Sequence, residues 1–265
     1  MLVRSWNLFH GNAVPPERRA FLREMVELAA GDDPDVVCLQ EVPVWALGHL
    51  AAWSGMEAVG EVAQPPRLGP LPSSATLGRA LTELHHGLLR SAFTGQANAV
   101  LVARRHRVRS RDRIVLNAKR FRDAQARRLG LGAVARLAWA CERRVCQGVC
   151  LALADGRRAL VANLHATSFA ADPRLAEAEV VRAAVFAESL AGPGEVCVLA
   201  GDFNEGASPR VLAELAGWGF AGAGEGIDHV LVRGAAASPQ AWPEERRRLE
   251  GRLLSDHAPV EVTIE

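Results

Sequence analysis

Five apolar runs in this chain meet residues that could do chemistry. Residues 2–6 end at Asn7, 36–39 at Gln40 and Glu41, and 159–162 at Asn163-Leu164-His165. Residues 196–200 end at Gly201-Asp202-Phe203-Asn204-Glu205, and Ser255-Asp256-His257 stands just before the run 260–264. Charged groups at the boundary of a buried strand are costly to desolvate unless they are paired. Amides, carboxylates and imidazoles gathered at five strand ends point to a hydrolytic, metal-dependent site.

Each group also has a plain structural reading. Glu41 is either a helix-entry acid ahead of Pro43 or a hard oxygen ligand of the kind Mg²⁺ prefers. Asn7 at a strand end is also common turn chemistry. Gly201 allows a close turn, and alternation projects Asp202 and Asn204 to one side, an acceptor beside a donor. A phosphoryl group and an attacking water need that pairing; the alternative is an Asx-turn. A general base needs an imidazole held in one tautomer by a carboxylate. Asp256 adjoins His257, but neighbours on a strand point to opposite faces. Asp228, in Gly226-Ile227-Asp228-His229, is therefore the better orienter of His257, which leaves Asp256 for metal. His165 alone reads equally well as a satisfied, partly buried histidine. His229 reads as structural, and His10, His49, His85, His86 and His106 as surface or packing residues.

The elements that must position these groups alternate along the chain. Strands are expected at residues 2–6, 36–39, 57–62, 98–103, 145–153, 158–164, 196–200, 227–232 and 260–264. Asp155-Gly156 marks a hairpin between two of them. Helices are expected from Pro15-Pro16-Glu17 to about residue 30, over 43–53 and 76–89, over 173–190 after Asp172 as N-cap, and from a Ser208 cap to about 216. Residues 64–74, rich in Pro and Gly, read as a loop. Mixed helices and strands with antiparallel pairing favour two packed sheets flanked by helices, in one domain spanning 1–265.

At 265 residues and 49% hydrophobic the chain has ample material for a core. A net charge of +1 supports no global electrostatic argument, but the charge is uneven. Between Arg104 and Arg128 ten Arg and Lys119 face only Asp112 and Asp123. Arg120, Arg122, Arg127 and Arg128 are candidate contacts to nucleic-acid phosphates. Lipid headgroups, a solvated helix face and genome composition are alternative explanations of the same arginines. Five Cys without a secretory signal argue for a reducing, cytoplasmic setting. Cys141, Cys146 and Cys150 lack a Cys-x-x-Cys pair, so buried thiols are favoured over zinc. No apolar run approaches membrane-spanning length, and no protein partner is implied.

Taken in order, Ser5-Trp6-Asn7-Leu8, Leu39-Gln40-Glu41-Val42, Asn163-Leu164-His165, Gly201-Asp202-Phe203-Asn204, Ile227-Asp228-His229 and Ser255-Asp256-His257-Ala258-Pro259-Val260 resemble the motifs of the endonuclease/exonuclease/phosphatase superfamily. Asn98-Ala99-Val100-Leu101 with Arg104 looks like its middle strand. The resemblance covers nearly the whole chain. It implies a DNase I-like α/β four-layer sandwich of two mixed or antiparallel sheets flanked by helices. It also implies hydrolysis of phosphate esters with Mg²⁺ or Mn²⁺. By the same resemblance Asn7, Glu41 and Asp256 are metal-site residues, and Asp202 with Asn204 positions nucleophile and phosphate. Asp228 partners His257, and His165 is a second histidine that stabilises or protonates at the phosphate. The chain departs from several branches. It has no tyrosine, which apurinic-site nucleases carry, and no Cys-Asp-Arg motif of the inositol-polyphosphate phosphatases. It also lacks the signal peptide and disulfides usual in secreted nucleases and sphingomyelinases. A phosphodiesterase acting on DNA or RNA is the leading expectation. The alternatives are a phosphatase or phospholipase-like enzyme on a small or lipid phosphate, and a binding module without chemistry.

Overall fold

Two-residue alternation inside the apolar runs explains the architecture. The computed structural model describes residues 1–68, 71–84 and 93–265. Its main strands, in chain order, are β1 (Leu2–Asn7), β2 (Val36–Val42), β3 (Glu57–Gln64), β4 (Gln96–Val102), β5 (Arg107–Val115), β6 (Val145–Ala152), β7 (Arg158–His165), β8 (Val196–Asp202), β9 (Ala221–Glu225), β10 (Asp228–Arg233), β11 (Ala237–Gln240) and β12 (Val260–Ile264). They form two six-stranded sheets, ordered β11-β12-β1-β2-β4-β3 and β9-β10-β8-β7-β6-β5. Both sheets are mixed. β1 pairs with β2 and β7 with β8 in parallel, and the other pairs are antiparallel. Asp155-Gly156 closes the β6–β7 hairpin as expected, with Gly156 at φ 88°.

Val3, Val36, Val100, Val149, Val161, Val198, Val230 and Val262 face inward between the sheets and form one buried cluster. The intervening residues face outward. On the first sheet Trp6, Val37, Leu39 and Leu101 pack against α1 (Leu22–Ala29) and α2 (Leu50–Ser54). On the second, Leu160, Leu164, Cys197 and Leu199 pack against two later helices, Arg174–Leu190 and Pro209–Gly217. Helix, sheet, sheet and helix give the four-layer sandwich. Further helices among the described residues are α3 (Ala75–Leu84), α4 (Lys119–Arg128) and α5 (Ala133–Cys141), so the two later ones are α6 and α7.

Several boundaries differ from the sequence reading. The first helix begins at Leu22, not at Pro15-Pro16-Glu17. The expected helix over 43–53 divides into a 3₁₀ turn, Val44–Ala46, and the short α2. The loop after residue 64 contains a two-residue-strand hairpin, Arg67–Leu68 with Leu71–Pro72. The basic segment is not one unit: Arg104 and Arg105 lie in a turn, Arg107, Arg109, Arg111 and Arg113 on β5, and its last four arginines on α4. Helix α5 and strands β5, β9 and β11 were not anticipated. His85, His86 and the end of the helix expected over 76–89 lie outside the described residues. Cys38, Cys146 and Cys197 are buried free thiols; burial pushes Cys38 and Cys197 up to about 12 and raises Cys146 as well.

Candidate active site

The inward-facing columns change chemistry along their length. Val3 is followed on its face of β1 by Ser5 and Asn7, and Val36 and Cys38 on β2 by Gln40. Val102 and Val100 give way to Asn98 and Gln96 on β4, and Val149 to Gln147 on β6. Val161 leads to Asn163 and His165 on β7, Ala200 to Asp202 on β8, and Val230 to Asp228 on β10. All these polar groups are buried. They bind the sheets together: Gln40 Nε2 donates to Asn163 Oδ1 at 2.7 Å, and Asn163 Nδ2 donates to the Leu39 and Ala99 carbonyls at 3.0 Å. Gln147 Nε2 likewise reaches the Val59 carbonyl at 2.8 Å.

At the polar end a cleft of about 320 Å³ opens. Asn7 Nδ2 donates across it to Asp202 Oδ2 at 2.9 Å. Strict alternation would turn Glu41 away from the interior. A register shift between Leu39 and Val42 and a Glu41 φ of 53° bring it into the cleft wall instead. Its Oε2 lies 3.2 Å from His10 Nε2 and its Oε1 3.9 Å from His165 Nε2. Burial raises the Glu41 carboxyl above its ordinary range, against the opposing pull of Arg144, His257 and Asn7. His165 and Asp202 stand side by side because β7 and β8 pair in parallel at that register. Gly201 makes the approach possible: its φ is 138°, and a Cβ there would lie 1.9 Å from the Leu164 carbonyl oxygen. Asp202 Oδ1 accepts from the Asn204 backbone N–H at 2.8 Å while both side chains line the cleft. The Asx-turn is therefore present, and the Asn204 Nδ2 donates to the Ala166 carbonyl at 3.0 Å.

His257 Nδ1 lies 2.6 Å from Asp228 Oδ2. Its loop is pinned by Ser255, whose Oγ donates to the Asn7 carbonyl at 2.7 Å and accepts from the His257 N–H at 3.1 Å. The His257 carbonyl accepts from Trp6 Nε1 at 3.0 Å and from Arg247 at 2.7 Å. Burial works against a charged His257. The hydrogen bond and charge of Asp228, with Asp202 and Asp256, outweigh it and raise the imidazole to about 9. Burial raises Asp228, and the bond from His257 opposes that rise. His165 is the opposite case. Burial, then Arg144, His257 and His10, hold it well below its ordinary value. Arg144 Nη1 lies 3.2 Å from His165 Nε2 and Gln96 Nε2 lies 2.8 Å from its Nδ1, so a donor faces each ring nitrogen.

Asn7, Glu41, His165, Asp202, Asn204, Asp228 and His257 thus converge. Asp256 is at the rim, with its side chain 47% exposed and its Oδ1 3.8 Å from His257 Nε2. The arginines are redistributed. None of Arg120, Arg122, Arg127 and Arg128 lines the cleft; Arg128 lines a groove between α4, α6 and α7. Phe121 and Ala126 anchor α4 near Trp139, Leu175 and Ala178, which leaves its arginines on other faces. The arginine of the cleft is Arg144, buried, with Nη2 2.6 Å from Glu142 and an Nε that finds no partner among the described residues. His10 is a cleft residue, not a surface or packing one, and Gln96 was also missed. A visible signal existed for Gln96 and Arg144, since each is a polar residue abutting an apolar strand. His10 carried none. His229 packs against Phe203 at 5.1 Å, as a structural residue would.

The donors suit a hard divalent cation. Asp202, Asp228 and His257 can each offer one ligand atom within 4.8 Å of the others. That closeness already has a cause, since Asp228 bonds His257 and Asp202 bonds Asn7. Glu41 is the better-placed carboxylate: it is partly buried, its two oxygens face imidazoles, and the Asn7 amide is beside it.

The profile of the endonuclease/exonuclease/phosphatase family matches residues 5–257. The chain belongs to that family. No curated protein sequence matches it. Its fold is similar to that of the human Nocturnin catalytic domain with bound sulfate, at 16% identity and a TM-score of 0.65, over 100% of this chain and 93% of that one. A functionally unknown conserved protein from Enterococcus faecalis gives 16% and 0.64 over 100% and 99%. A Bacteroides thetaiotaomicron mannosyl-6-phosphatase gives 14% and 0.62 over 100% and 99%.

Proposed function

We propose that this member of the endonuclease/exonuclease/phosphatase family is a divalent-metal-dependent phosphodiesterase, with DNA or RNA as the substrate class. Members of the family are phosphoric ester hydrolases and generally need a divalent metal. The observation that carries the reading is the meeting of the Asp228–His257 pair, Asp202 and Glu41 in one buried cleft beside Arg144. Arg144 supplies the cation that draws the phosphate in, and its buried, unpartnered Nε is a donor awaiting an acceptor. His257, held charged by Asp228, donates from Nε2 to a phosphate oxygen. Asp202, fixed by Asn7 and the Asn204 N–H, orients the attacking water and takes its proton. His165 is assigned to stabilisation, not proton delivery, because burial holds its imidazole well below its ordinary value and so neutral. Glu41 and Asn7 would hold Mg²⁺ or Mn²⁺, with Asp256 at the rim. A bound cation neutralises phosphate charge and stabilises the leaving oxygen.

The buried free thiols Cys38, Cys146 and Cys197 support a reducing, cytoplasmic setting. A monoesterase is the second reading, favoured by the likeness to a mannosyl-6-phosphatase. The test compares bis-p-nitrophenyl phosphate with p-nitrophenyl phosphate. Diester turnover should exceed monoester turnover, stop in excess chelator and return with Mg²⁺ or Mn²⁺. Glu41→Gln should weaken the metal response without unfolding the protein. Undiminished turnover in chelator rejects the metal; monoester preference selects the second reading.

A further inference from the structure

A second groove, of about 370 Å³, adjoins the cleft. Residues 18–23, the segment from Pro43 to Trp53, α3 and Thr94 build it. His10 lines both spaces and lies 3.2 Å from Glu41, so the groove opens beside the reacting centre. Its lining combines four arginines, Arg18, Arg19, Arg23 and Arg79, with the indoles of Trp45 and Trp53, and includes no carboxylate among the described residues. Arg19 is fixed by Glu24 and Glu250, and Arg23 by Glu27. The two indoles meet edge to face at 6.1 Å; the Arg79 guanidinium lies 4.5 Å over Trp45, and His49 stacks on Trp53 at 5.3 Å.

We propose that this groove is a nucleotide subsite. It holds the base and neighbouring phosphate of the unit next to the scissile bond. The inference rests on the phosphodiesterase reading and names what the substrate carries beyond its reacting phosphate. Indoles among guanidinium groups offer both surfaces a nucleotide needs, an aromatic face for an unpaired base and cations for its anion. A sugar monophosphate brings one anion, already taken by the cleft, and nothing to lie against the indoles. The groove supplies the nucleic-acid contact that Arg120, Arg122, Arg127 and Arg128 do not make at the cleft.

Two measurements test it. The first is tryptophan fluorescence of the metal-free protein titrated with adenosine 5′-monophosphate and with ribose 5-phosphate. The base should tighten binding by about tenfold or more, the order of one base–aromatic stack. Trp53→Leu should erase that difference. Equal affinities for the two probes in the wild type would overturn the subsite. The second is kcat/KM for a single-stranded oligonucleotide and for methyl p-nitrophenyl phosphate, in wild type, Trp45→Leu and the exposed-residue variant Arg79→Gln. Both variants should lose about tenfold or more on the oligonucleotide and little on the small diester. Equal losses on both substrates would remove the subsite while leaving the phosphodiesterase reading intact. Absence of turnover of either diester by the wild type with Mg²⁺ or Mn²⁺ would instead remove that underlying reading.

Discussion

Asp228→Asn isolates the device that holds His257. The carboxylate oxygen sits 2.6 Å from Nδ1, and the bond and charge of Asp228 raise the imidazole most. Moving it from an ordinary 6.5 to about 9 favours the protonated ring by about 3 kcal/mol. An amide at position 228 removes the charge, leaves burial unopposed by its strongest partner, and takes the ring back to or below 6.5. Two readouts follow. In the metal-free protein, the NMR titration of His257 should move toward acid by about two pH units or more. In the metal-loaded enzyme, kcat/KM on bis-p-nitrophenyl phosphate should fall by about 10²–10³-fold at neutral pH, the range for losing one preorganised donor to the developing charge. Its alkaline limb should also shift toward acid. The sign of the stability effect is fixed. A raised imidazole contributes stability fully present below pH 6.5 and lost as pH rises through about 9, so the variant loses that contribution mainly below pH 9. An unmoved titration together with unchanged kcat/KM would refute the pairing of these residues as a functional unit.

Arg144→Gln should raise KM for a small diester by about tenfold or more, since a charge-assisted bond to phosphate is worth about 1.5–3 kcal/mol; an unchanged KM rules it out as the phosphate anchor. Replacing Arg120, Arg122, Arg127 and Arg128 together by Gln should leave the salt slope of oligonucleotide binding unchanged, because none lines the cleft; a flattened slope would place α4 on the substrate path. Asp35→Asn probes the fold far from chemistry. Burial raises Asp35, but the Leu2 N–H at 2.6 Å, His106 and Arg105 prevail and lower it. Its contribution is present above about pH 4 and lost as pH falls through the lowered value. The variant should therefore unfold at lower urea than wild type at pH 7, by about 1–3 kcal/mol, with the gap closing in acid.

Strand ends were legible because a polar residue interrupting an apolar run is costly without a purpose. That rule located Asn7, Glu41, His165, Asp202, Asp228 and His257 in sequence. It located Glu41 for an incomplete reason, since alternation alone turns that side chain outward and only the bulge at Leu39–Val42 returns it. His10 was illegible because it sits on a 3₁₀ turn with φ 53°, where no periodicity speaks. The arginines misled for a related reason. Charge density is a property of a stretch of chain, but access to a cleft is decided by which face a helix buries. Phe121 and Ala126 settled that for α4, and the patterned alternatives at Arg120 to Arg128 could not.

The valine columns that end in amides, carboxylates and imidazole have a consequence for how this chain can change. Gln40 Oε1, Asn98 Oδ1, Gln147 Oε1 and Asp228 Oδ1 are buried without a hydrogen-bond partner among the described residues. Each is a liability that one more apolar residue in the same column would remove. Selection for robustness alone would extend the valines and close the cleft from within. Laboratory evolution toward higher melting temperature should therefore reach catalytic death along these seven columns first, whereas substitutions on the helical outer layers can raise stability freely.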